Sequence, residues 1–211
     1  MRWDDLFDDL EGQLELDREA LARHQSSDEE RQRQAGLTLH DRLRNLTRRA
    51  LQRAGAILPA ADIASPINVT LTTGLQLNLV PLRHGRDWCA VDITEPGSLA
   101  GQALLPISAI SSLVLTTDQR RLSLGESPFP PEEPNGIANR IGLGFVLRDL
   151  SRRRATVEIS TKGDVYRGTL DRVSADHVEI AEHLSCEPRR NENVRGVRLV
   201  AMTRIVLVRV L

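Results

Sequence analysis

Asp176, His177, His183 and Cys186 lie within one short stretch and carry the side chains best suited to chemistry. Imidazole and thiolate together suggest zinc, which takes four ligands in tetrahedral reach; a fourth ligand is not evident here. These residues therefore read as parts of a loop and a strand. Asp176 beside His177 suggests acid–base work, but successive residues of a strand point to opposite faces. Asp87 holds the equivalent place in the other half of the chain, so both aspartates read as turn residues. No nucleophile–base pair emerges. No catalytic, cofactor-binding or metal-binding residue is assigned, and the chain is expected to be non-enzymatic.

Two arginine clusters offer the next chemistry. Arg48-Arg49 and Arg152-Arg153-Arg154 each sit where a helix leads into a β-rich stretch, and phosphate contacts from both would be additive and salt-dependent. These five arginines are the candidate RNA contacts. Aromatic residues make up only 3% of the chain, a poor supply for stacking bases. Lysine occurs once, at Lys162, against 27 arginines, so arginine abundance reflects general usage as well as selection. The alternative reading is a solvated helix end whose cations suit the negative pole of the helix. A third candidate surface is apolar: Trp3, Phe7, Leu10 and Leu14 recur at three- and four-residue steps, and this helix either folds back on the barrels with its acidic face against the arginine-bearing helix or uses these residues to anchor a second subunit or a protein partner.

The elements positioning these groups come in two copies. Leu43-Arg44-Asn45-Leu46-Thr47-Arg48-Arg49 returns 104 positions later as Leu147-Arg148-Asp149-Leu150-Ser151-Arg152-Arg153, and each copy precedes a β-rich stretch of similar layout. Gly74 and Gly163 differ by 89, as do Asp87 and Asp176, whereas Ile107 and Ile110 differ from Met202 and Ile205 by 95. A middle loop is therefore longer in the second copy. Residues 1–36 form an acidic, amphipathic helical extension, and 37–117 a helix over about 38–54 followed by five short strands. Residues 118–136, with four prolines, form an irregular linker, and 137–211 repeat helix and strands. Five short strands in an open sheet would leave two edges and a bare face exposed, so each set is expected to close into a small barrel.

Gly163-Asp164-Val165-Tyr166-Arg167-Gly168-Thr169-Leu170, in helix-then-five-strand order, resembles the first signature of the Sm-like fold. That pattern has a turn glycine, a strand glycine five residues on, and apolar residues three and seven after the first. The resemblance implies tandem Sm-like or SH3-like barrels, with Gly168 allowing the second strand to bend. Sm proteins that bind uridine-rich RNA also carry an Asp and an Asn after the signature and an Arg-Gly near strands four and five. Val173 to Ile180 lacks the Asn, Arg195-Gly196 is out of register, and Leu79 and Pro81 replace the strand glycine and following leucine in the first copy. The RNA pocket does not carry over. The whole chain, from its Met-Arg-Trp-Asp-Asp-Leu-Phe start to the Gly-Thr-Leu-Asp-Arg-Val segment, also resembles an uncharacterised actinobacterial protein group, which implies no activity.

Formal net charge is -1, which argues against a general polyanion binder, although residues 1–36 are strongly acidic and 37–54 basic. The two cysteines, Cys89 and Cys186, make no secreted disulfide framework, and no run approaches the roughly 18 apolar residues of a membrane span. A cytoplasmic interaction or assembly module is the leading expectation, through a protein partner or self-association. RNA binding is the alternative.

Overall fold

Alternation of apolar and polar residues builds the strands. β1 (Ile67–Leu71) buries Ile67, Val69 and Leu71, and β3 (Trp88–Ile93) buries Cys89, Val91 and Ile93, each turning every second residue inward. In this computed structural model the described residues are 23–53, 65–94, 100–125, 140–183 and 194–211, with isolated positions 15, 18 and 21; for 48–53 the description stops at the backbone. The chain divides into two compact units, residues 1–38 and 39–211.

In the first unit, α1 (residues 23–35) is helical. Hydrogen bonds from Arg33 and Gln34 bring the Glu30 carboxyl down to about 2.

The second unit is mainly β. After α2 (Leu39–Arg53) and β1 come β2 (Gln76–His84), β3, β4 (Gly101–Pro106) and β5 (Ile110–Val114). α3 (Thr117–Ser123) and α4 (Leu143–Arg152) precede β6 (Thr156–Thr161), β7 (Val165–Val173), β8 (His177–Glu182), β9 (Gly196–Ala201) and β10 (Ile205–Val210). A one-turn helix stands before each fifth strand, at Ile107–Ala109 and Met202–Arg204. All the strand pairings are antiparallel and run β5-β1-β2-β3-β4-β10-β6-β7-β8-β9. The expected pair of separately closed barrels is thus replaced by one open ten-stranded sheet. Its physical reason is the pairing of β4 with β10, which satisfies one edge of each five-strand set and leaves two free ends instead of four.

Each set nonetheless has its own core. One gathers residues from β1 to β5 with Leu43 and Leu46 of α2, and the other Leu143 and Leu147 of α4 with β6 to β10. Sharing one core among five successive strands requires strong curvature. Register shifts at Pro81/Arg83 in β2 and Leu170/Arg172 in β7 supply it at equivalent points. Gly168, expected to let the strand bend, meets a steric demand as well. A Cβ there would overlap the Ala181 carbonyl oxygen and lie 2.8 Å from its carbon, so glycine admits the neighbouring β8 backbone.

Two further expectations change. Residues from Asp118, read as irregular, begin in α3, which a reciprocal capping box between Thr116 and Gln119 starts before the prolines. α4 begins at Leu143 instead of near 137, with Gly142 in extended conformation at its N-cap.

Candidate assembly interface

The two half-sheets join through β4 and β10, where polar and apolar contacts meet. Leu104 lies opposite Val208 and Ala103 opposite Arg209. Burial interlocks there: Val206 and Leu207 of β10 enter the first core, Ile205 and Val208 the second, and Trp88 and Leu104 of the first half pack on the second core. The β2–β3 loop then clamps the start of α4. The Ile141 carbonyl accepts from the Arg86 amide at 2.9 Å and from the Trp88 indole N–H at 2.9 Å. The Leu143 amide donates to Asp87 Oδ1 at 2.7 Å, giving α4 the side-chain cap that Gly142 lacks. Gly85 is required at this clamp, because a Cβ would come within 2.5 Å of the Ile141 oxygen.

Charge near the join is internally neutralised. Glu158, 3% exposed, accepts from Arg167 and, at 3.0 Å, from Arg209. Arg198 pairs with Glu182 and lies 4.6 Å from the Tyr166 ring centroid.

The two ends of the sheet differ sharply from this join. Among the described residues none pairs with the outer side of β5 or β9. Val114 on β5 is 63% exposed, and Val197 and Leu199 on β9 are 56% and 63% exposed. Exposed valine and leucine on strands with no described neighbour on their outer side make a template for strand addition.

No family model, curated protein or solved structure matches this chain.

The residues singled out in sequence are placed unevenly. Trp3, Phe7, Leu10, Leu14 and Cys186 lie outside the described residues, and Arg48 and Arg49 fall on α2 where only backbone is described. Arg152 is exposed at the end of α4. Arg153 pairs with Asp149 at 2.7 Å and Arg154 with Asp171 at 3.0 Å. His177 and His183 stand at opposite ends of β8, about 20 Å apart along a strand, so they do not share a ligand. His183 is buried, 2.8 Å from Thr169 Oγ1. Asp176 and His177 do meet, with Oδ1 and Nδ1 2.7 Å apart. Opposed strand faces do not separate them because Asp176 belongs to the turn before β8. This contact lowers the Asp176 carboxyl below its ordinary range.

Sequence reading identified Asp87 as a turn residue and missed its cap on α4. Its signal was present only as long-range geometry. Among the described residues no three His, Cys, Asp or Glu converge on a metal position, and no described helix is long and apolar enough to cross a membrane.

Proposed function

We propose that this chain is a non-enzymatic assembly module of the cytoplasm, made of two duplicated Sm-like units that join other proteins by strand addition at the two ends of its sheet. The observation that carries this reading is the β4–β10 pairing. Two five-strand units already associate edge to edge within the chain, and one edge of each is left over. Equal strand orders in the halves, the Gly163 and Gly168 signature and the exposed apolar residues of β5 and β9 support it. RNA binding through the arginine clusters has less behind it. Arg153 and Arg154 are held by carboxylates, leaving Arg152 as the exposed cation of its cluster without an ion-pair partner among the described residues.

The test is the size of the tagged full-length chain in an extract of the cells that make it. A species well above monomer mass, lost when Leu199→Asp is introduced on β9, supports the module. A monomer-sized species, or a large one indifferent to substitutions on both end strands, overturns it. RNA titrations at two salt concentrations, read by anisotropy, address the alternative: salt-sensitive binding lost with Arg152→Glu would favour it.

A further inference from the structure

The buried carboxylate near the join is neutralised within the chain, but the cations around it are not all answered. We propose that the cleft they line binds a small phosphate monoester, with the phosphate among Lys162, Arg167 and Arg195 and the organic body between Leu75 and Val165. This goes beyond the assembly reading and stands without it. The cleft lies wholly within the second unit and encloses about 1310 Å³, ample for a small organic ligand. Residues of the β1–β2 turn wall one side and the β6–β7 hairpin the other, and β10 contributes as well.

The argument starts from one row of charges across three strands. Glu158 stands opposite Arg167 on β7 and Arg209 on β10. Val157, Ile159 and Val208 turn into the second core, so the alternate residues of this row face the cleft. Glu158 needs one cation and has two. Arg209, itself largely buried, already satisfies it at 3.0 Å. Arg167 therefore brings a surplus charge, and Glu158 takes only its Nε–H, so the terminal nitrogens are left to present a fixed fork to an anion. Glu182 holds Arg198 in the same way. Lys162 and Arg195 line the cleft without an ion-pair partner among the described residues. Five cations thus face three carboxylates, Asp164 being the third, and a ligand with two negative charges restores the balance. A phosphate monoester carries close to that charge at neutral pH and offers three oxygens to such donors.

The cleft also has apolar walls. Leu75 belongs to the first half-sheet and Val165 to the second, and both are exposed within it. They suit a ligand with an apolar body in addition to its phosphate. Base stacking has less to work with, because the Tyr166 ring lies against Arg198 and its hydroxyl donates to Asp164 at 3.0 Å. A small monoester fits these features better than a polynucleotide.

Isothermal titration calorimetry of the full-length chain at neutral pH, with phenyl phosphate as the probe, tests this. Phenyl phosphate should bind one to one. Inorganic phosphate, which lacks the ring, and phenyl sulfate, which carries a single charge, should each bind more weakly. Arg195→Ala and Lys162→Ala alter exposed residues and should each weaken phenyl phosphate about tenfold, the worth of a hydrogen bond to a charged group. Asp164→Asn keeps an acceptor for Tyr166 and removes a repelling charge, so it should strengthen binding. Leu75→Ser should weaken phenyl phosphate and leave inorganic phosphate unchanged, a split that a general loss of folding does not produce. Absence of saturable phenyl phosphate binding overturns the proposal, as does binding that all four substitutions leave unchanged. A short RNA that binds where phenyl phosphate does not would assign the surplus charge to nucleic acid and overturns it too.

Discussion

The Asp87 carboxylate accepts a 2.7 Å hydrogen bond from the Leu143 amide, so a loop of the first half-sheet caps the helix that introduces the second. The halves are thereby coupled by a polar contact as well as by apolar burial. Asp87→Ala should destabilise the chain by about 1 kcal/mol, the usual cost of a lost cap. Asp87→Asn keeps an acceptor and loses only the charge, worth roughly 0.3–1 kcal/mol against the helix pole. Urea denaturation of the three proteins checks the order.

Gly168 and Gly163 sit in one sequence signature yet face different demands. A Cβ at Gly168 meets the Ala181 backbone, whereas at Gly163 nothing lies within 4 Å. Gly168→Ala should cost about 3 kcal/mol, at the upper end of overpacking, because backbone and not a side chain must move. Gly163→Ala should stay within about 0.5 kcal/mol. Equal melting temperatures for the two variants would refute the assignment.

What the sequence could and could not disclose follows from the range of each interaction. Alternation at Ile67, Val69 and Leu71 and the repeat around Leu43 and Leu147 are local patterns, and the strands and helices appear where those patterns place them. Edge pairing of β4 with β10 joins residues about a hundred positions apart and leaves no local trace in Leu104 or Val208, which read simply as strand residues. The same holds for Asp87, whose partner Leu143 belongs to another repeat. Prolines from Pro128 onward hid α3, because its Thr116 and Gln119 capping box lies just upstream of them. The apolar residues of β5 and β9 were visible as sequence, but their exposure depends on which edges the fold leaves over.

Glu158 is the most deeply placed charge near the join. Its side chain is 4% exposed and its partner Arg209 11%, with Arg167 completing the cluster from β7. Removing one member of such a pair strands the other. Glu158→Ala should cost about 3–5 kcal/mol. Arg167→Ala should cost less, because its own side chain is 59% exposed and Arg209 still answers Glu158. A double-mutant cycle of Glu158 with Arg209, followed by thermal unfolding, should show strong coupling; additive losses would contradict the burial argument.

Burial pushes the Cys89 thiol up to about 12 from an ordinary 9.0, against a smaller opposing contribution from a Thr47 hydrogen bond. The folded state thus holds its thiol proton where the unfolded state releases it. Stability from this group is complete below pH 9 and declines as pH rises from there towards 12. In a Cys186→Ser background, Cys89 should react with a thiol reagent at neutral pH only as fast as the chain opens. Labelling as rapid as in urea would show that the thiol is accessible. Cys89→Ala should flatten the alkaline decline of stability.

Residues 39–211 contain both cores, all ten strands and both free sheet ends, so this unit has what it needs to fold without residues 1–38. Deleting the first 38 residues should therefore leave a single cooperative unfolding transition and a strand-rich circular dichroism spectrum. The deletion also separates two routes to assembly. If Trp3, Phe7 and Leu10 anchor a contact, light scattering will report a smaller mass for the truncated chain than for the full one. If the ends of the sheet carry the contact, the number of copies per particle stays the same, and adding Leu199→Asp to the truncated chain reduces it to monomer. The second outcome is expected, because a strand edge retains its unpaired backbone groups whatever precedes α2, and Val114 and Leu199 lie on edges that the deletion leaves intact.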